Sequence, residues 1–124
     1  MASQLDGAGQ SKLATLDDAQ AQLQRLHGIV EHYAMAVRNQ QATAGFRQQL
    51  LRAGTPLVGL LKPQFGVIAD VVSAFLLVAS RGGGDQAKVR ALREAVASIR
   101  AQVDISATKV KEKHTMTVPA AEAE

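Results

Sequence analysis

A long apolar stretch in the middle of the chain limits the folds open to it. Between Ala53 and Ser80 only two charged residues occur, Lys62 and Asp70. A stretch of this kind either enters a membrane or forms a helix that other parts of the same protein bury. The sequences on its two sides decide between these alternatives.

Two heptad seams flank the apolar stretch. In each seam, apolar or small residues recur at alternating spacings of three and four, which is typical of a helix packed lengthwise on another helix. The first seam consists of Leu16, Ala19, Leu23, Leu26, Val30, Tyr33 and Val37. The second consists of Val89, Leu92, Val96, Ile99, Val103, Ser106 and Val110. Because the two seams are equally long, they predict two antiparallel helices of one bundle.

Capping residues predict where these helices begin. Thr15 is placed as the N-cap of the first helix, with Asp17 and Asp18 in its first turn. Three glycines at 82–84 end the preceding helix, and Asp85 caps the last one. We therefore expect a flexible leader over residues 1–14, a helical bundle domain over 15–113 and a disordered tail over 114–124.

Glycine and proline divide the segment between the seams. Gly54 is expected to end one helical piece, and Thr55-Pro56 to begin the next as N-cap and first helical residue. Pro63 follows closely and must kink or restart the helix. We predict an all-α fold, a small antiparallel bundle of three main helices whose middle helix is broken near Pro63.

The helix after Pro63 has two apolar stripes, so two neighbouring helices are expected to cover it. One stripe is Phe65, Ile68, Val72, Phe75 and Ala79, and its neighbour is Val67, Val71, Ala74 and Val78. Asp70 belongs to neither stripe and is expected on the exposed edge.

The membrane alternative is weaker than the buried-helix interpretation. The uninterrupted apolar run from Phe65 to Ser80 is shorter than the roughly 20 residues that a spanning helix needs. Asp70 near its centre costs about 3 kcal/mol on insertion. A span would also place the two seams on opposite sides of the bilayer. Membrane association through residues 57–80, as a single span or at the surface, is kept as the alternative.

The sequence offers little that could carry chemistry. It has no cysteine, which excludes disulfides and thiolate ligands. His27 and Glu31 lie four residues apart on one helix turn, but a third metal ligand at fitting spacing is absent. The glycines of "SRGGGDQAK" lack the pattern of a phosphate-binding loop. We expect no catalytic residue, no metal and no cofactor.

The formal charge of +3 is concentrated late in the chain, where residues 81–113 carry eight Lys or Arg against four Asp or Glu. Arg90, Arg93 and Arg100 share a face beside the second seam. They form either a solvated helix face or a strip that contacts an acidic partner. Nucleic-acid binding is the least favoured alternative, because the chain lacks the aromatic residues on which bases stack.

These observations predict a non-catalytic protein–protein interaction module, such as an adaptor, scaffold or assembly factor. It is expected in the cytoplasm, because "MASQLDGAGQSKLA" lacks the features of a secretory signal. The expected partner is another protein or a second copy of the chain, paired through the aliphatic seams. The predicted interface residues are Leu23, Leu26, Val30, Tyr33, Val37, Phe65, Ile68, Val72, Phe75, Leu92, Val96, Ile99 and Val103.

Overall fold

The computed structural model describes residues 4–5, 7–81 and 83–116. In this part of the chain there are four helices, α1 (Gly7–Arg38), α2 (Phe46–Leu61), α3 (Gly66–Ser80) and α4 (Asp85–His114). Two short strands, β1 (Gln4–Leu5) before α1 and β2 (Thr115–Met116) after α4, pair antiparallel. Each helix packs on the next, and α4 also packs on α1. The predicted all-helical bundle is confirmed, with four helices in place of three.

Helices α1 and α4 run antiparallel along their whole length. Three side-chain contacts fix their register: Gln20 with Asp104, Gln24 with Arg100, and Glu31 with Arg93. Each step forward along α1 from one contact to the next is matched by an equal step backward along α4. This regular register is what two seams of equal length require.

Pro63 lies where the chain reverses direction. Helix α2 ends at Leu61, and the amide of Phe65 donates to the Leu61 carbonyl at 2.6 Å, which closes the turn between α2 and α3. The predicted break is therefore present, but the two halves fold back on each other and pack side by side. One broken helix becomes a helical hairpin, which accounts for the fourth helix.

The predicted helix boundary at Gly54 is wrong, because α2 continues through Gly54, Thr55 and Pro56. Thr55 does not cap a new helix, since its hydroxyl donates to the Leu51 carbonyl one turn earlier. Gly54 serves a packing role instead. A Cβ atom placed there would lie 2.6 Å from Leu76 Cδ2, so the missing side chain leaves room for the end of the Leu76 side chain.

The start of α1 also differs from the prediction. The helix begins at Gly7, and the Thr15 hydroxyl donates to the Ser11 carbonyl inside it, so Thr15 is not the N-cap. Residues 7–14 of the predicted leader are helical, while residues 1–3 and 6 lie outside the described residues. At the other end, His114 closes α4, and residues 117–124 of the predicted tail lie outside the described residues.

Both seams lie in the core of one chain, which is the first of the two arrangements predicted for them, within one bundle or between copies. Every seam residue is buried except Val37 and Ser106, which are half-buried. The α2–α3 hairpin completes the core with Leu50, Leu57, Leu61, Ile68, Ala69, Val72, Phe75 and Ala79. The four helices therefore surround one core, to which α1 and α4 contribute their seams and the apolar stretch contributes the hairpin.

Candidate interaction surface

The predicted interface residues lie inside the molecule. Of the thirteen, eleven are buried, and Val37 and Phe65 are half-buried at the edge of the core. Since the seams are closed within one chain, a surface that meets a partner has to be sought elsewhere in the fold.

The most apolar exposed surface lies on the outside of α3. Its residues are Val67, Asp70, Ala74, Leu77 and Arg81, which we call the outer α3 face. Val67 is 71% exposed and Leu77 is 67% exposed, the two highest values among the large hydrophobic residues of the described chain. Their positions repeat at spacings of three and four, so the face is a third heptad pattern that points away from the core.

This exposure overturns the expectation that neighbouring helices cover both apolar stripes of α3. Val67 and Ala74 of the second stripe are exposed, and Val71 and Val78 are half-buried. The second covered flank of α3 lies on the opposite side, where Ala69 is buried and Leu76 meets α2 at Gly54. The reversal at Pro63 is the cause, because it brings α2 against that flank and leaves Val67 and Ala74 to solvent.

Two opposite charges stand on the outer α3 face, Asp70 one turn after the helix begins and Arg81 at its C-terminal cap. Both side chains are exposed, as predicted for Asp70. Among the described residues, neither forms an ion pair or a hydrogen bond through its side chain. The face therefore carries an acidic group near one end, a basic group at the other and apolar groups between them.

A shallow hollow lies beside Arg81, where the end of α3 meets the start of α4. Its volume is about 260 Å³. The hollow is lined by Val78, Arg81, Gly83, Gly84, Ala87, Lys88 and Ala91. Gly83 has a backbone φ of 126°, a conformation that favours glycine, and the small residues around it keep the hollow open. Val78, Ala87 and Ala91 give the hollow an apolar part that an apolar side chain of another molecule can contact, and Arg81 and Lys88 add two cationic side chains.

The other large exposed hydrophobic residues in the described chain are isolated. Met35, on α1, is 54% exposed, and Ile105, on α4, is 47% exposed. Single exposed side chains of this kind are ordinary on a protein surface, whereas two on one short helix face form a patch.

The three arginines predicted to contact an acidic partner are all exposed, but two are engaged within the chain. Arg93 binds the Glu31 carboxylate through two nitrogens, at 2.7 and 2.9 Å. Its hydrogen bonds hold the pKa of Glu31 below its ordinary value. Arg100 donates to Gln24 at 3.4 Å. Arg90 and Arg93 line one groove between α1 and α4 together with Arg38, whereas Arg100 is not part of that lining.

A hydrogen-bonded cluster joins α1, the α1–α2 loop and the start of α4. The buried Tyr33 donates to Asp85 at 2.5 Å, and Thr43, in the α1–α2 loop, donates to the other carboxylate oxygen at 3.3 Å. Burial and the neighbouring carboxylate raise the pKa of Tyr33. Asp85 therefore does more than begin α4, because it also ties α4 to α1 and to the loop.

The histidine considered as a metal ligand forms an ordinary surface pair. His27 Nε2 lies 3.7 Å from Glu31 Oε2, and that carboxylate is already bound by Arg93. Within residues 4–5, 7–81 and 83–116, no group of three or more His, Cys, Asp or Glu side chains is arranged to hold a metal ion. Nor does any described helix combine the length and apolar content needed to cross a bilayer.

Comparison with known proteins gives no relative from which a function can be carried over. No family model, no curated protein and no solved structure matches the chain. The geometry of the chain itself is therefore the basis for a functional proposal.

Sequence reasoning missed the outer α3 face although its spacing is present in the sequence. The face follows a heptad pattern, but two of its five positions hold Asp70 and Arg81. When only apolar residues are counted, the pattern is interrupted at these two charged positions. A search that allowed one charge near each end would have found the pattern.

Proposed function

We propose that this chain is a non-catalytic helical interaction module that binds protein through the outer α3 face. One observation carries the proposal: α3 contributes one side to the core, and its outer face carries Val67 and Leu77, the two most exposed large hydrophobic side chains of the described chain. A fully exposed Val or Leu side chain forgoes about 1.5–3 kcal/mol of burial. A partner that covers Val67 and Leu77 recovers part of that free energy.

The packing of α3 in the bundle supports this role. The opposite side of α3 carries Ile68, Val72 and Phe75, all buried against neighbouring helices. The outer α3 face is therefore held in one conformation before a partner arrives, which lowers the entropic cost of association. An adaptor, a scaffold and an assembly factor all use a surface of this kind, and the proposal keeps the cytoplasmic location expected from the sequence.

Attachment to a membrane surface is the second candidate, since the same face is apolar and Lys62 and Arg81 stand near its two ends. Asp70 weighs against it, because a carboxylate on the apolar face has to stay hydrated while its neighbours enter the lipid. A protein partner can offer Asp70 a cationic group, which lipid acyl chains cannot do.

Site-specific photo-crosslinking in cells that make the protein tests the proposal. A photoreactive amino acid replaces Leu77 in one variant and Ile105 in a matched control, which is also an exposed aliphatic residue within a helix. We expect protein adducts from position 77 at several times the yield from position 105.

Equal yields at the two positions would contradict a docking role for the outer α3 face. Flotation of the purified chain with vesicles that contain anionic lipid separates the second candidate. If the chain binds vesicles, Leu77→Glu abolishes that binding and position 77 forms no protein adducts, the chain is a membrane-associated protein and not a protein-interaction module.

A further inference from the structure

We infer that the partner that fits the outer α3 face is a second copy of this chain, packed so that the two α3 helices run antiparallel about a two-fold axis. This inference rests on the proposed function and names its partner. It follows from three features of the face: the order of its charges, the sizes of its apolar residues and the hollow at its end.

The order of the charges makes the face complementary to itself. Asp70 lies near the beginning of α3 and Arg81 at its end, and neither has an ionic partner among the described residues. Antiparallel pairing brings Asp70 of each copy opposite Arg81 of the other, so two ion pairs form around the axis. Parallel pairing would place like charges together. The antiparallel order also sets the positive end of each helix dipole beside the negative end of the other.

The same register matches large side chains with small ones. When Asp70 faces Arg81 of the other copy, the heptad spacing brings Ala74 opposite Leu77 of that copy. A leucine then packs into the space that an alanine leaves, which is the knob-and-hole relation of close helix pairs. Because the axis is two-fold, this contact occurs twice.

The hollow at the end of α3 receives the remaining apolar residue. Val67 lies one turn before Asp70, so in this register it projects one turn beyond Arg81 of the other copy. That is the position of the hollow between Arg81 and Ala91, whose lining includes Val78 and Ala87. The most exposed large hydrophobic side chain of the described chain thus has a matching site on the same molecule, as an isologous interface requires.

The small size of the face predicts a weak dimer. Helix α3 has 15 residues and is about 22 Å long. An interface built on it, with the start of α4 at the side, falls below the roughly 1,200 Å² of total buried area that stable complexes need. We therefore expect reversible association with a dissociation constant of about 1 μM or weaker.

Sedimentation velocity of the full chain over a wide concentration range tests the dimer. We expect a shift from monomer to dimer with rising concentration and no larger species. Leu77→Glu should weaken association at least about tenfold. Ile105→Glu, which adds the same charge at another exposed aliphatic position, should leave it unchanged. Circular dichroism confirms that both variants remain folded. A wild-type chain that stays monomeric, or a dimer that both variants affect equally, would overturn the inference.

Charge exchange tests the register. Asp70→Arg and Arg81→Asp each place like charges across the axis, so each variant alone should dimerise less than the wild type. A mixture of the two variants restores both ion pairs, and its association should return to about the wild-type strength. Association in the mixture that greatly exceeds the wild type would indicate parallel helices, and no recovery would exclude this contact. Either result would refute the proposed arrangement.

The crosslinking test distinguishes failure of this inference from failure of the proposed function. If the wild type is monomeric but position 77 still forms adducts with a different protein, the module remains and the second copy is wrong. If the purified chain binds vesicles through Leu77 and forms no dimer, the inferred dimer and the proposed protein-interaction module are both wrong.

Discussion

Tyr33 and Asp85 are joined by a hydrogen bond of 2.5 Å that links the upper part of α1 to the first residue of α4. The residues are far apart in the sequence, and the bond holds in place the end of the bundle at which α1, the α1–α2 loop and α4 meet. The Tyr33 ring also packs on Phe46 of α2, with 5.3 Å between ring centroids. A single side chain therefore connects three helices.

Tyr33→Phe should destabilise the fold, because it removes the hydroxyl and keeps the ring. A hydrogen bond to a charged group contributes about 1.5–3 kcal/mol. We expect the free energy of unfolding to fall by about 2 kcal/mol, measured by urea denaturation followed by circular dichroism. Thr43→Val, which removes the longer bond to the same carboxylate, should have a smaller effect. A larger loss in Thr43→Val than in Tyr33→Phe would contradict the assigned geometry.

The pKa of Tyr33 is raised by burial and by the Asp85 carboxylate, so stability should decline in alkaline solution. The folded state favours the neutral phenol, and its contribution is fully present below the ordinary tyrosine pKa of about 10. It is lost as the pH rises beyond that value. Tyr33 is the sole tyrosine, and the chain has no tryptophan, so the ultraviolet absorbance of tyrosinate reports this group alone. Titration near the ordinary value in the folded chain would contradict the assignment.

The heptad spacing of α1 and α4 was sufficient to predict the core. Leu23, Val30, Leu92 and Ile99 are buried in one chain, as the pattern indicated. Spacing of this kind depends only on which residues share a face of a helix, so it survives errors in the helix ends. The error at Thr15 illustrates this point, since α1 begins two turns earlier and the seam is unchanged.

The arrangement of the middle segment could not be predicted from local signals. Gly54 and Pro56 usually end helices, but here the gain from close packing of Gly54 against Leu76 outweighs their poor helix propensity. Likewise, Pro63 marks a break without fixing the angle between the two halves. That angle decided which flank of α3 is exposed. The candidate surface therefore depended on tertiary contacts that the sequence pattern left open.

Arg93 should control the ionisation of Glu31. The pKa of Glu31 is lowered mainly by its hydrogen bonds from Arg93, so Arg93→Ala should raise it toward its ordinary value of about 4.5. Its stabilising contribution is present above that value and is lost as the pH falls. The effect on stability should be small, because both side chains are largely exposed. NMR titration of the carboxyl carbon measures the shift, and Arg90→Ala is the control. An equal shift in the control would mean that general charge, and not the bond, sets this pKa.

Two valines of α3 should differ sharply in their response to the same substitution. Val72 is fully buried, whereas Val67 is exposed on the outer α3 face. Val72→Asp would bury an unpaired carboxyl group, which costs several kcal/mol out of a total stability of about 5–15 kcal/mol. We expect Val72→Asp to be unfolded, and Val67→Asp to keep its thermal transition within a few degrees of the wild type. A folded Val72→Asp variant would show that Val72 is not part of the core.

Three substitutions should reveal the contact between position 54 of α2 and the Leu76 side chain of α3. Gly28 lies inside α1 with open space where a Cβ would stand, so Gly28→Ala should stabilise the fold by about 1 kcal/mol. Gly54→Ala should be destabilising by about 1–2 kcal/mol, because the new methyl group would overlap the end of Leu76. In a Leu76→Ala background the overlap is gone. There, Gly54→Ala should become stabilising by about as much as Gly28→Ala. Urea denaturation of the wild type, Gly54→Ala, Leu76→Ala and the double variant completes a double-mutant cycle. Additive effects at positions 54 and 76 would show that the two side chains do not meet.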